Sequence, residues 1–143
     1  MTKKIIHFSA CICLLRENGD LLMQHRDNNP DIHSPNIWGF PSGRIHEGET
    51  AIECAKRELQ EETDYLCEDL LFLASFIDDY IEGWPPCHNS VFWAIYDGIQ
   101  PLTCYEGQEL KFIPYEQKTV YSVPWYLVKI WDQALSAAGV QFP

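Results

Sequence analysis

Apolar and polar positions alternate in short runs along most of this chain, and the period changes to a helical one at two places. Residues 5–15 alternate β-branched or apolar side chains with small polar ones, the period of a strand. Glu17-Asn18-Gly19-Asp20 carries turn chemistry, so residues 21–26 are predicted to return as the hairpin partner. Residues 27–36 hold two prolines among several Asn and Asp and are predicted as a surface loop. Residues 37–40 form a short apolar stretch, stopped by Pro41-Ser42-Gly43. From Thr50 to about Glu62 there is no Gly or Pro, and Ile52, Ala55 and Leu59 fall on one helical face. Thr50 with Glu53 makes a capping box that marks where this helix starts. Residues 70–78 and 90–96 are predicted strands, separated by a loop containing Gly83-Trp84-Pro85-Pro86, and 110–113 is a further short one. Residues 124–138 read as a closing helix, with Pro124 in its first turn and a core stripe of Leu127, Val128, Ile130, Trp131, Ala134 and Leu135. No repeat, low-complexity run or linker interrupts the series. The expectation is a single α/β (α+β) domain over residues 1–143, with a mixed sheet flanked by helices.

The 143 residues suffice for a core, and 46% hydrophobic with 22% charged residues is the profile of a folded globule. The opening lysines and Ile5 resemble a leader. However, His7, Ser9 and the Arg16-Glu17-Asn18 turn break the apolar run, and no stretch approaches a bilayer span. Six cysteines are scattered without CxxC spacing, and Cys11 and Cys13 would share one side of their strand. They are expected as buried thiols in a reducing, cytoplasmic setting. The net charge of −11 argues against a general nucleic-acid binder, which draws on clustered Lys and Arg. A phosphate-bearing substrate would then have to be held by something other than net charge, and a divalent cation is the obvious device.

The segment that carries chemistry is Gly43 to Glu49 followed by Arg57-Glu58-Leu59-Gln60-Glu61-Glu62-Thr63-Asp64-Tyr65. Glu58, Glu61 and Glu62 stand at i, i+3 and i+4, so their side chains share one helical face next to the apolar stripe. Like charges so placed repel, and a hard cation that prefers oxygen ligands reverses the sign of that interaction. Arg57 can reach Glu61 or Glu53 one turn away and fix a carboxylate rotamer. A bare ExxEE is ordinarily a solvated face. What changes the reading is the whole array of Gly, Glu, Arg-Glu and Glu-Glu behind a Phe-Pro-Ser-Gly turn.

That array resembles the Nudix box, commonly written G-x5-E-x7-R-E-U-x-E-E-x-G-U with U a bulky aliphatic residue. Gly43, Glu49, Arg57, Glu58, Leu59, Glu61 and Glu62 match at every spacing, whereas Asp64 stands at the family's Gly and Tyr65 at its final aliphatic position. The Gly position ends the helix in a left-handed conformation, which Asp adopts at modest cost, so a positive φ is expected at Asp64. Ser42 replaces the first Gly of the usual Pro-Gly-Gly but keeps the backbone carbonyl that the family offers to the metal.

The resemblance implies an alpha/beta/alpha Nudix sandwich and water attack on a diphosphate linkage of a nucleotide-type small molecule. It also implies Mg2+, with Mn2+ as a substitute, held by Glu58, Glu61, Glu62 and Ser42, with Glu58 the candidate base and Arg57 its orienting partner. Glu106, in Glu106-Gly107-Gln108, resembles a further metal carboxylate of MutT-type members, with Glu109 as the fallback. Arg26 stands where such members present an Arg to the nucleotide.

For the substrate itself the expected contacts are Arg26, Glu49 and Trp84, the last in its Pro-rich loop. Trp38, Phe40, Trp93 and Trp125 are further flat surfaces, most of them expected in the core. His25, His33 and His88 lack metal-like spacing and read as ordinary polar residues. Subfamily signals are negative. Ile81 replaces a Pro of the ADP-ribose branch, and Tyr80 is out of register with the Tyr of dinucleoside-polyphosphate members. Ser122 or Val123 falls where oxidised-guanine enzymes use Asn. No nucleic-acid or membrane partner is expected, and a homodimer is left open. The alternative function is a non-catalytic, nucleotide-sensing module on the same fold, although such members typically lose a carboxylate that this chain retains.

Overall fold

The computed structural model describes residues 4–5 and 7–140. The first strand, β1 (His7–Leu15), is the centre of the molecule. It pairs in parallel with β6 (Cys87–Ile95) along its whole length, from His7 opposite Cys87 to Leu15 opposite Ile95. On its other edge it meets β4 (Ser42–Arg44), and at Leu15 the start of β2 (Leu21–His25), both antiparallel. Strand β2 also pairs with β3 (Trp38–Gly39) and β7 (Glu109–Ile113), while β5 (Leu71–Asp78) lies antiparallel to β6 at the edge. The result is a mixed sheet of seven strands among the described residues.

Alternation along β1 explains the layers. Cys11, Cys13 and Leu15 face one side, where Leu127, Ile130, Trp131, Ala134 and Leu135 of helix α2 (Trp125–Ala138) close over them. Ala10, Ile12 and Leu14 face the other, against Cys54, Ala55 and Leu59 of helix α1 (Ala51–Thr63). A strand covered on both faces has to be apolar throughout, and residues 10–15 are all buried. Cys11 and Cys13 do share a side and all six thiols are free, but against expectation Cys104 is exposed and Cys87 only half-buried. Among the described residues no helix is long and apolar enough to cross a membrane.

Several boundaries differ from expectation. Of the strand expected over 5–15, Ile6 lies outside the described residues. Strand β4 falls where the sequence predicts only loop, since three residues leave no period to detect. Strand β6 begins at Cys87 rather than at residue 90, because pairing with β1 extends it beyond its apolar run. Pro124 is the N-cap of α2 rather than a residue of its first turn. The capping box at Thr50 forms as expected, each partner accepting from the other's backbone N–H.

Candidate active site

Helix α1 ends against the strip that carries Glu106, and this contact builds the site. Thr103 N–H donates to the Thr63 carbonyl at 3.0 Å and Tyr105 N–H to the Glu62 carbonyl at 3.1 Å, occupying acceptors that a helix C-terminus leaves unused. From the other side, Gln24 Nε2 donates to the Glu106 carbonyl at 2.9 Å and Gln108 N–H to the His25 carbonyl at 2.7 Å. Gly107 makes that approach feasible. It sits at φ +85°, and a Cβ there would come 2.6 Å from the His25 carbonyl oxygen.

Glu62 is only 3% exposed, and its Oε2 accepts from Ser42 N–H at 3.1 Å. Burial, the charge of Glu106 and a hydrogen bond between the two carboxyls push the Glu62 acid up to about 10. The surroundings thus favour the protonated form of the Glu62 acid. Burial also raises Glu58, against the opposing pull of Arg57. Gly43 leaves room for Glu58, since a Cβ on Gly43 would lie 2.0 Å from the Glu58 carboxyl carbon.

Arg57 organises the remaining acids. Its Nε and Nη2 grip both oxygens of Glu49 at 2.7 and 2.9 Å, and Nη1 donates to Glu58 Oε1 at 2.7 Å and Glu61 Oε2 at 3.2 Å. Nη2 also donates to the Arg44 carbonyl at 3.1 Å. A fork with five donors makes all five of these contacts at once, which the three donors of an ammonium cannot. Glu49 in turn accepts from His46 N–H at 3.0 Å, and its carboxyl is held down to about 2, chiefly by the Arg57 hydrogen bonds.

A cavity of about 330 Å³ adjoins these groups, with Ser42, Gly43 and Glu106 among its lining. Arg26 and Trp84 line it as well, whereas Glu49 and the three helix acids do not. Arg26 Nε donates to the carbonyls of His33 and Ser34 at 3.1 and 3.2 Å, folding the 27–36 loop over the cavity. Trp84 packs edge-on against His33, with ring centres 5.3 Å apart. Trp38 is buried against His25, Trp93 packs against the α2-side core, and Trp125 is exposed beside Tyr80 and Tyr126. Glu109, the fallback acid, sits on β7 at 3.7 Å from Lys111.

His33, read from the sequence as an ordinary polar residue, also lines the cavity, as do Asp78, Asn89 and Tyr126, which the sequence did not single out. Asp78 ends a predicted strand and Asn89 just precedes one, so neither carried a local signal. The only hint was a charged and an amide residue at the edges of apolar runs.

The structure brings Glu58, Glu62, Ser42 and Glu106 together and leaves Glu61 at the exposed rim. Among the described residues, no three His, Cys, Asp or Glu side chains already surround a common point as a finished metal shell. The acids close on each other and on Arg57 instead. An all-oxygen donor set of this kind fits a hard divalent ion.

The chain belongs to the Nudix family, since the model of the NUDIX domain matches residues 6–124. Members of the family act on nucleoside-diphosphate-linked substrates and generally use divalent metals. The chain is 37% identical over 76 residues to the mRNA decapping complex subunit 2 of Schizosaccharomyces pombe, a match covering 53% of this chain and 10% of that protein. It is 35% identical over 71 residues to Nudix hydrolase 5 of Arabidopsis thaliana, covering 50% of this chain and 23% of that one. The matches thus span a tenth to a quarter of these relatives' lengths. Its fold superposes on the MutT protein of Methanosarcina mazei with a TM-score of 0.79 at 18% identity, over 96% of this chain and 98% of that structure.

Proposed function

We propose that the protein hydrolyses a diphosphate linkage in a nucleotide-type substrate, either a nucleoside triphosphate or a nucleoside diphosphate joined to another moiety. The observation that carries this reading is the Glu62–Glu106 pair, closed beside Ser42 and next to a cavity of ligand size. Glu58, Glu61, Glu62, Glu106 and the Ser42 carbonyl are the residues that would hold Mg2+, or Mn2+ in its place. A cation bound there would neutralise the diphosphate and acidify the attacking water.

The chain's own residues do the rest. In the reaction, water adds its oxygen to one phosphorus, the bridging P–O bond breaks, and the bridging oxygen leaves with the other phosphoryl group. Arg57 occupies Glu58 Oε1, so Oε2 is the atom that takes the proton water loses. Burial raises Glu58 toward the range where a carboxylate is an effective base. Glu49 works through Arg57 as a positioning residue, since both its oxygens are engaged there. Arg26 and Trp84 contact the nucleotide from the cavity wall. The free thiols at Cys11, Cys13, Cys54 and Cys67, all buried, suit a reducing cytoplasm.

The test is product analysis over nucleoside triphosphates, dinucleoside polyphosphates and nucleotide sugars in magnesium or manganese. At least one is expected to be cut, with Glu58→Gln and Glu62→Gln slowing turnover roughly a hundredfold or more while the fold survives. A panel left intact under both metals would replace this reading with the nucleotide-sensing one.

A further inference from the structure

The cavity contains polarity that a phosphate chain cannot use. Asp78, the last residue of β5, lines it with a side chain only 13% exposed. Its Oδ2 lies 3.9 Å from His33 Nε2, and its Oδ1 accepts a long contact from Tyr80 N–H at 3.4 Å. In a chain of net charge −11, a further anion beside a phosphate site repels the ligand. That repulsion is offset where the carboxylate meets N–H donors on the ligand.

Asn89, on the neighbouring strand β6 and 7% exposed, supplies the complementary group. Its Oδ1 accepts from the Cys11 thiol at 3.4 Å, and Nδ2 donates to the Cys87 carbonyl at 3.3 Å. An amide nitrogen carries two hydrogens, so the second is available to a ligand oxygen. Phe40, Phe76, Trp84 and Tyr126 give the same cavity aromatic walls suited to a flat ring.

We propose that Asp78 and Asn89 read the edge of a guanine-type base, a 2-amino-6-oxopurine, in the substrate. Asp78 accepts from the ring N1–H and the 2-amino group together, and Asn89 Nδ2 donates to the 6-oxo oxygen. Adenine would set its unprotonated N1 against the carboxylate, and hypoxanthine lacks the second donor. This specificity rests on the nucleotide reading of the site but not on its turnover.

The test uses the full chain in magnesium with GMP, IMP and AMP, none of which contains a diphosphate linkage to cut. By calorimetry GMP is expected to bind roughly tenfold or more tighter than IMP or AMP, the discrimination typical of a bidentate base contact. Asp78→Asn should bring GMP and IMP within about twofold of each other, whereas Glu58→Gln should leave the gap intact. The wild-type series decides alone if Asp78→Asn fails to fold. Three ligands bound alike, none bound, or a gap that survives Asp78→Asn would each overturn the proposal. A guanine preference without cleavage of any diphosphate would sink the hydrolase reading alone, and cleavage without base preference would sink this one alone.

Discussion

Two single positions decide how the acidic face is presented. At Gly43 a methyl group would collide with the flexible end of Glu58 rather than with backbone, so the side chain yields and the fold does not. Gly43→Ala is therefore expected to lower turnover about as far as Glu58→Gln, with a thermal midpoint shifted by only a few degrees (order of magnitude). Equal loss of both would show that Gly43 is structural. Asp64 closes α1 in the left-handed region at φ 66°, ψ 19°, its N–H donating to the Gln60 carbonyl. The box pattern made that conformation legible in advance, because the departure from Gly fell on a helix end. Asp64→Gly should stabilise the protein by about 1 kcal/mol, through relief of backbone strain and of a negative charge at the helix C-terminus. A urea midpoint that rises at unchanged slope is the expected signature.

Among the elements, α1 was the most readable, because its capping box, its apolar stripe and its acids all belong to one continuous segment. Arg57 was expected to reach Glu61 or Glu53, and it does donate to Glu61. Its stronger grip on Glu49 and Glu58 depends on how the 43–49 segment folds back, which periodicity does not encode. Strands β3 and β4 are too short to show a period, and the parallel pairing of β1 with β6 joins residues some eighty positions apart. The Arg57–Glu49 link has a pH signature. The Glu49 carboxyl sits at about 2 in the fold against an ordinary 4.5, so its folded pKa is depressed. Its stabilising contribution is full above 4.5 and fades as pH falls toward 2. Glu49→Gln should accordingly be less stable than the wild type near neutrality, with the two converging on the acid side in pH-dependent unfolding. A constant difference down to pH 2 would assign the effect to packing.

At the scale of the molecule, the sheet gathers a site from places the sequence keeps apart: the loop after β2, the end of β5, the start of β6 and the strip before β7. The box acids were legible because they are contiguous. Asp78, Asn89 and His33 were not, because only strand register brings them to one cavity. Concentrated acid on a chain already at −11 also weakens the cation-free fold as a whole. Magnesium at a hundred times its dissociation constant should stabilise the protein by about 2.7 kcal/mol. A rise in thermal midpoint with magnesium, reversed by chelator and largely lost in Glu62→Gln, would register it. An unchanged response in that variant would place the ion elsewhere.

The two amides that seat the Glu106 strip on the end of α1, those of Thr103 and Tyr105, also act as a clock. Neither can trade its hydrogen for solvent deuterium until the strip lifts from the helix, and that same motion parts Glu106 from Glu62. Their exchange rates therefore time the opening of the acidic jaw without reference to any substrate, and slower exchange on adding magnesium would mark the ion as the clasp that holds it shut.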